Sequence, residues 1–387
     1  MPASSANFWN TFKRILLFVC LLIPIFGLRL LIMDSMTDQV YPLNGSYRAY
    51  ADSGIVALQS MYNVTSGGWL DTLWWQQAVA LGTVIDYSSR ASTIYTDDIA
   101  TTFNADKFTG FLNGYYDDEG WWAITWIKAY DLTGNREYLN TAKSIFKDMA
   151  GGWDSRCGGG LWWDKARTYK NAIPNELFLT IAARLHQRTP GDVAGGGRYH
   201  ASYIDWANRE WQWFKSSGLT NSSDLVNDGL AIDGKSCQNN GENTWTYNQG
   251  VILGGLADMY KISGDVSYLS RAEAIADANM LTNVDGNGIL YEKGCEPTGD
   301  CDDDGAIFKG IFMENLYYLY TVDGKTTYRD FILKNASAIC VYNRDSSNNF
   351  GLHWDGPFDR SQANRQSSAM ETLNAAIVLT VPKGRIA

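Results

Sequence analysis

A spaced pattern of tyrosine, glycine four residues on and tyrosine four further constrains the fold of this chain more than any other feature. It reads Tyr130, Gly134, Tyr138; then Tyr260, Gly264, Tyr268; then Tyr320, Gly324, Tyr328. A glycine just past the end of an apolar helix supplies the left-handed turn that stops it, and the second tyrosine opens an amphipathic helix that runs back alongside. Each copy is therefore a helical hairpin. Tyr87, Ala91 and Tyr95 keep the spacing without the glycine.

Apolar residues at helical period predict pairs at 72–90 with 96–111, 117–132 with 136–150, 175–189 with 199–216, 246–262 with 266–280 and 306–322 with 326–342. A first helix at 47–62 and a last at 366–381 each lack a sequence neighbour, so together they can close a ring. The expected fold class is all-α: an (α/α)6 barrel of six helical hairpins, with residues 41–387 as one domain. The first member of each pair is the more apolar, as in Gly250–Ala257, and is assigned to the inside. The glycine-rich runs Gly151–Trp163 and Val284–Tyr291 are expected to form loops or small hairpins.

Parallel inner helices gather their N-termini at one end of such a ring. The segments entering them, Leu73–Trp75, Tyr116–Asp118, Ile173–Glu176, Thr244–Gln249, Cys301–Gly310 and Asn364–Ser367, then face one cavity. They hold aromatic rings, amides and acids, which suit a neutral polyhydroxylated ligand better than an apolar one.

The remaining sequence signals concern address and partners. Lys13 and Arg14 precede an apolar run from Ile15 to Leu28, which Leu30–Met33 could extend; residues 1–40 are expected to be a signal peptide or a signal anchor, with 15–33 as a membrane tether. Either form delivers the rest of the chain to the secretory pathway, the extracellular space or the cell wall. Sequons at Asn44, Asn63, Asn221 and Asn335 fit that address. Cys295 and Cys301 are expected to clip one acidic loop, Cys157 and Cys237 to form a second bridge, and Cys340 to be left over. With three histidines, none at ligand spacing from a cysteine pair, no metal or other cofactor is expected, and Asp302, Asp303 and Asp304 read as a solvated loop. A net charge of -10 without a basic stripe argues against nucleic acid. The final residues, Thr380–Ala387, lack the hydrophobic tail of a lipid-anchor signal, and the protein is expected to be a monomer.

Chemistry concentrates in Asn113–Trp126. Asp117, Asp118 and Glu119 precede apolar Trp122, Ala123, Trp126 and Ala129, so the acids fall in the first turn of a buried helix. The helix N-terminus favours an anion and nearby tryptophan rings favour a protonated carboxyl, so one site can hold one acid charged and its neighbour protonated. Glycoside hydrolysis needs that combination. Helix capping by aspartate accounts for the spacing equally well.

The chain resembles glycoside hydrolase family 76, the endo-α-1,6-mannanases and related fungal wall enzymes. The likeness rests on Tyr116–Ala123 with Trp126, Cys157–Trp163, Trp245–Gly250, Phe308–Phe312 and Trp354–Pro357, and covers about residues 45–385. It implies the same barrel and a retaining mechanism, with Asp117 as nucleophile and Asp118 as general acid/base cleaving α-1,6-mannosidic linkages in mannan or mannoprotein glycans. Trp75, Trp121, Trp122, Asn175, Trp245, Asn248, Gln249, Lys309 and His353 are expected at substrate subsites, and Glu119 is expected to be structural. Two other readings compete: a transglycosidase that moves mannosyl chains onto wall glucan, and a non-catalytic carbohydrate-binding barrel.

Overall fold

The computed structural model describes residues 46–91, 93–194, 200–299, 301–302 and 304–380. The leader at 1–40, the tether at 15–33, Asn44 and Asp303 lie outside them. Among the described residues no helix is long and apolar enough to cross a membrane.

Among the described residues twelve α-helices follow one another: α1 Tyr47–Ser60, α2 Trp74–Arg90, α3 Thr96–Asp106, α4 Tyr116–Thr133, α5 Arg136–Gly151, α6 Ala172–Arg188, α7 Tyr203–Phe214, α8 Thr246–Ser263, α9 Val266–Thr282, α10 Phe308–Asp323, α11 Thr326–Tyr342 and α12 Ala363–Leu379. The even-numbered helices pack side by side in a closed ring, α2 on α4, α6, α8, α10, α12 and back to α2. Odd-numbered helices form an outer layer, with α1 from the start of the chain packed on α12 from its end. The expected (α/α)6 barrel is the observed one.

The repeat works as its glycines require. Gly134, Gly264 and Gly324 adopt φ of 72–73° and return their N–H to the carbonyls of Tyr130, Tyr260 and Tyr320 at 2.8–2.9 Å. Side chains of Asn135 and Asp265 then cap the next helix. Inner helices are buried over most of their circumference, as every residue of α8 from Thr246 to Met259 is. Their backbones also touch: a Cβ on Gly250 would sit 2.6 Å from the Phe312 backbone, and one on Gly310 2.5 Å from that of Ser368. Any side chain there would force α8 from α10, or α10 from α12.

Strands are few and short among the described residues. Trp153 bridges Leu161 and Val284 bridges Leu290, as the glycine-rich runs suggested. The hairpin of β1 (Leu230–Asp233) on β2 (Ser236–Asn239) carries no strong sequence signal, yet it delivers Cys237 to Cys157. Both expected disulfides are formed, Cys157 to Cys237 and Cys295 to Cys301, and Cys340 is a buried thiol. One sequon requires correction. Asn335 is fully buried in α11, where its Oδ1 accepts from Leu290 N–H at 2.8 Å and its Nδ2 donates to the Phe331 carbonyl at 2.9 Å. A glycan cannot be accommodated there. Asn63 ends a two-residue strand and heads the turn after it, Asn221 stands in a loop, and both are partly exposed.

Candidate active site

Where the inner helices begin, a cavity of about 680 Å³ opens. Four carboxylates, Asp117, Asp118, Asp228 and Asp304, reach it among rings of Trp74, Trp75, Tyr115, Trp121, Trp163, Tyr169, Tyr247 and Phe308, with Leu73 and Asn171 completing the wall. Among the described residues no lysine, arginine or histidine lines it.

The helix cap of α4 is the extended residue Tyr115, which places Asp117 and Asp118 at the second and third helical positions instead of at the cap. A returning loop fixes them. Tyr116 N–H donates to the Trp163 carbonyl at 2.9 Å, Trp163 N–H to the Tyr169 carbonyl at 2.7 Å, and the Tyr115 ring lies 4.8 Å from that of Trp163. Held this way, Trp163 Nε1 donates to Asp117 Oδ2 at 2.9 Å, while Asp117 Oδ1 is buried without a hydrogen-bond partner. Asn113 organises the neighbour: its Nδ2 donates to Asp118 Oδ2 at 2.6 Å and its backbone N–H to Glu119 Oε1 at 2.9 Å. Glu119 is buried and also accepts from Lys165 Nζ at 2.7 Å, the structural role expected of it.

Burial, reinforced by the charge of Asp118, drives the Asp117 carboxyl well above the usual range, against the donors Trp163 and the local backbone N–H groups. Asp118 is pushed up to about 6, mainly by burial and also by Asp304, with Asn113 opposing. The raised carboxyl expected of Asp118 is present, and Asp117, expected to be charged, is raised as well. Trp122 is not the cause: it is buried among Trp74, Phe111 and Trp126, away from the cavity. The two together hold a single proton over the range between their ionisations.

Across the cavity Tyr169 donates its hydroxyl to Asp228 Oδ2 at 2.7 Å and accepts from Asn240 Nδ2 at 2.7 Å. Tyr247 stacks on Phe308 with centroids 3.8 Å apart, and Trp75 stacks on Trp121 at 5.6 Å. Such flat faces are suited to the apolar faces of sugar rings.

Of the residues singled out from sequence, Asp117, Asp118, Trp75 and Trp121 line the cavity. The others do not. Trp122 is core. Asn175 accepts from Leu161 N–H at 2.6 Å and donates to Asn171 O, and Gln249 pairs with both backbone groups of Val226, so these amides hold loops. Lys309 is buried against Glu296 at 2.5 Å, and His353 contacts the other oxygen of the same glutamate at 3.3 Å, forming a separate network. Trp245 packs edge-on to Phe308 at 5.6 Å, over the cluster containing Cys295 and Cys301. Asn248 is buried with both polar atoms unpartnered. Sequence reasoning overlooked Asp228, Tyr169 and Asn171 as lining residues. Leu73, Trp74, Tyr115, Trp163, Tyr247 and Phe308 stood within the motifs and entry segments but were not singled out, and Asp304, expected in a solvated loop, lines the cavity and accepts from Trp75 and Gln76 instead.

The glycosyl hydrolase family 76 model matches residues 46–385. Mannan endo-1,6-alpha-mannosidase DCW1 of Saccharomyces cerevisiae is 28% identical over 349 residues, which cover 81% of this chain and 74% of that relative. Mannan endo-1,6-alpha-mannosidase DFG5 of the same yeast is 30% identical over 290 residues, covering 68% of this chain and 59% of its own length. Among solved structures, the GH76A α-1,6-mannanase of Salegentibacter sp. HEL1_6 superposes with a TM-score of 0.77 at 21% identity, covering 86% of this chain and all of that one. Dfg5 of Chaetomium thermophilum in complex with glucosamine gives 0.74 at 19% identity, covering 88% and 92%. A sequence match running from the first described helix to the last leaves one assignment: this chain belongs to glycosyl hydrolase family 76.

Proposed function

We propose that the protein is an endo-acting retaining glycosidase for α-1,6-mannosidic linkages in mannan or mannoprotein glycans, with Asp117 as nucleophile and Asp118 as general acid/base. The observation that carries this reading is the adjacent pair of carboxyls, Asp117 and Asp118, facing one ring-lined cavity. The names of the yeast relatives support the linkage. So does the Salegentibacter mannanase, for which an inactive variant with two aspartates replaced by asparagine is known in complex with α-1,6-mannotriose.

Asp118 gives its proton to the departing glycosidic oxygen as Asp117 attacks the anomeric carbon, so the leaving sugar departs neutral and a glycosyl ester forms on Asp117. Asp118, now a carboxylate, takes a proton from water, whose oxygen displaces Asp117 and restores the anomeric configuration. A group with a pKa of about 6 suits that two-way traffic. Positive charge developing at the anomeric carbon favours the Asp117 anion at the moment it is needed, and Trp163 Nε1–H supports it. Two disulfides support an oxidising address, and in this reading residues 1–40 act as signal peptide or anchor ahead of one monomeric catalytic domain at 41–387.

The test is azide rescue on an activated α-mannoside. Asp117→Ala with azide should yield the β-mannosyl azide and Asp118→Ala the α-mannosyl azide. The opposite assignment would exchange the roles, and full turnover in both variants would end the proposal.

A further inference from the structure

The loop before α10 contributes one acid whose position no local pattern explains. Asp304 Oδ1 accepts from Trp75 Nε1 at 2.9 Å and from Gln76 Nε2 at 3.2 Å, joining the entry to α10 to the first turn of α2. Those helices are not neighbours in the inner ring, since α12 stands between them. Gln76 in turn accepts the Leu73 N–H at 3.1 Å, and the Trp75 ring stacks on Trp121 of α4. One carboxylate therefore sets the orientation of an aromatic wall built from α2 and α4. The same loop is clipped by Cys295 and Cys301, and Gly305 N–H donates to Asp302 Oδ1 at 2.9 Å.

We propose that Asp304 is a positioning residue for the reaction: it holds Trp75 against Trp121 as a sugar platform and lends its charge to the cavity that Asp118 faces. This rests on the functional reading above. An anionic carboxylate is the best acceptor for two N–H donors, and the negative charge of Asp304 adds to burial in raising the proton affinity of Asp118. The other groups around Asp118 do not replace it. Asp117 and Glu119 share its helix, and Glu119 is neutralised by Lys165 from the returning loop. Asp228 and Tyr247 stand on the cavity wall, Asn113 is an uncharged donor, and no cation lines the space among the described residues.

The two functions separate in two variants. Asp304→Asn keeps an oxygen for Trp75 Nε1 but removes the charge. Its kcat/KM profile on α-1,6-mannan should have an acid limb moved to lower pH by about half a unit to one unit, with KM within about twofold of wild type. Asp304→Ala also releases Trp75, and KM should rise about tenfold or more, the loss of roughly one good contact. Thermal unfolding of both variants reports whether the barrel is intact. If Asp304→Asn is folded and active with an unmoved acid limb, the electrostatic role is overturned. If Asp304→Ala is folded with an unchanged KM, the platform role is overturned. If wild type itself does not turn over α-1,6-mannan, the functional reading fails first, and the same profiles on an activated α-mannoside then decide the role of Asp304 separately.

Discussion

Trp163 donates its indole N–H to Asp117 Oδ2 across 2.9 Å from 46 positions further along the chain. That bond is the strongest specific support for an anion at the more buried carboxyl. Trp163→Phe keeps a ring against Tyr115 and removes only the donor. We expect kcat/KM to fall about 10- to 100-fold, the worth of a hydrogen bond to a charged group. The alkaline limb of the profile should move to higher pH, because the Asp117 anion has lost a stabilising donor. A pH series of initial rates checks both.

The site also weighs on stability. Asp118 has a folded-state pKa of about 6, above its unfolded value, so its protonated form fits the fold and its stabilising contribution is present at low pH and lost as pH rises through about 6. Asp118→Asn mimics the protonated form and can still accept from Asn113. At pH 8 it should be more stable than wild type by about 1–2 kcal/mol, allowing for partial exposure, and the gain should vanish near pH 4. Denaturant titrations at the two pH values measure the difference.

Lys309 and Glu296 form a buried ion pair, with Lys309 Nζ also donating to the Leu352 carbonyl at 2.8 Å. Lys309→Met leaves the buried Glu296 without its cation at Oε1, with only His353 and the Glu292 N–H as remaining partners. It should destabilise the barrel by about 3–5 kcal/mol. Because Lys309 does not line the cavity, kcat/KM of the folded fraction should stay at the wild-type value, measured well below the variant's melting temperature.

Glycan mapping by mass spectrometry of protein from a glycosylating host should find Asn335 unmodified. Among the described residues, Asn63 and Asn221 are the sites where occupancy is expected. Asn335→Gln should lower the melting temperature, since a longer amide disturbs the bonds that tie α11 to Leu290 and to its own Phe331 carbonyl.

Much of the architecture was legible because it is written locally. A glycine at φ 72–73° after each terminal tyrosine is a requirement of the backbone, so Gly134, Gly264 and Gly324 announce hairpins within a few residues of sequence. Apolar periodicity then separates inner from outer helices, and a ring follows when six hairpins each bury one face. The acids at 117 and 118 fell in the first turn of α4 for the same local reason.

The chain alone thus determined the barrel, both disulfides and the adjacent pair of aspartates. Tertiary structure decided which loops meet at its mouth. Asp304 and Asp228 reach the cavity only after ring closure brings distant segments together, and no periodicity encodes that meeting. The same closure buried Lys309, Asn175 and Gln249, whose polar groups had to be satisfied by nearby backbone or Glu296 and so could not serve a ligand. It also raised Asp117 alongside Asp118, because desolvation depends on which groups cover a carboxyl in space, whatever rings stand beside it in sequence.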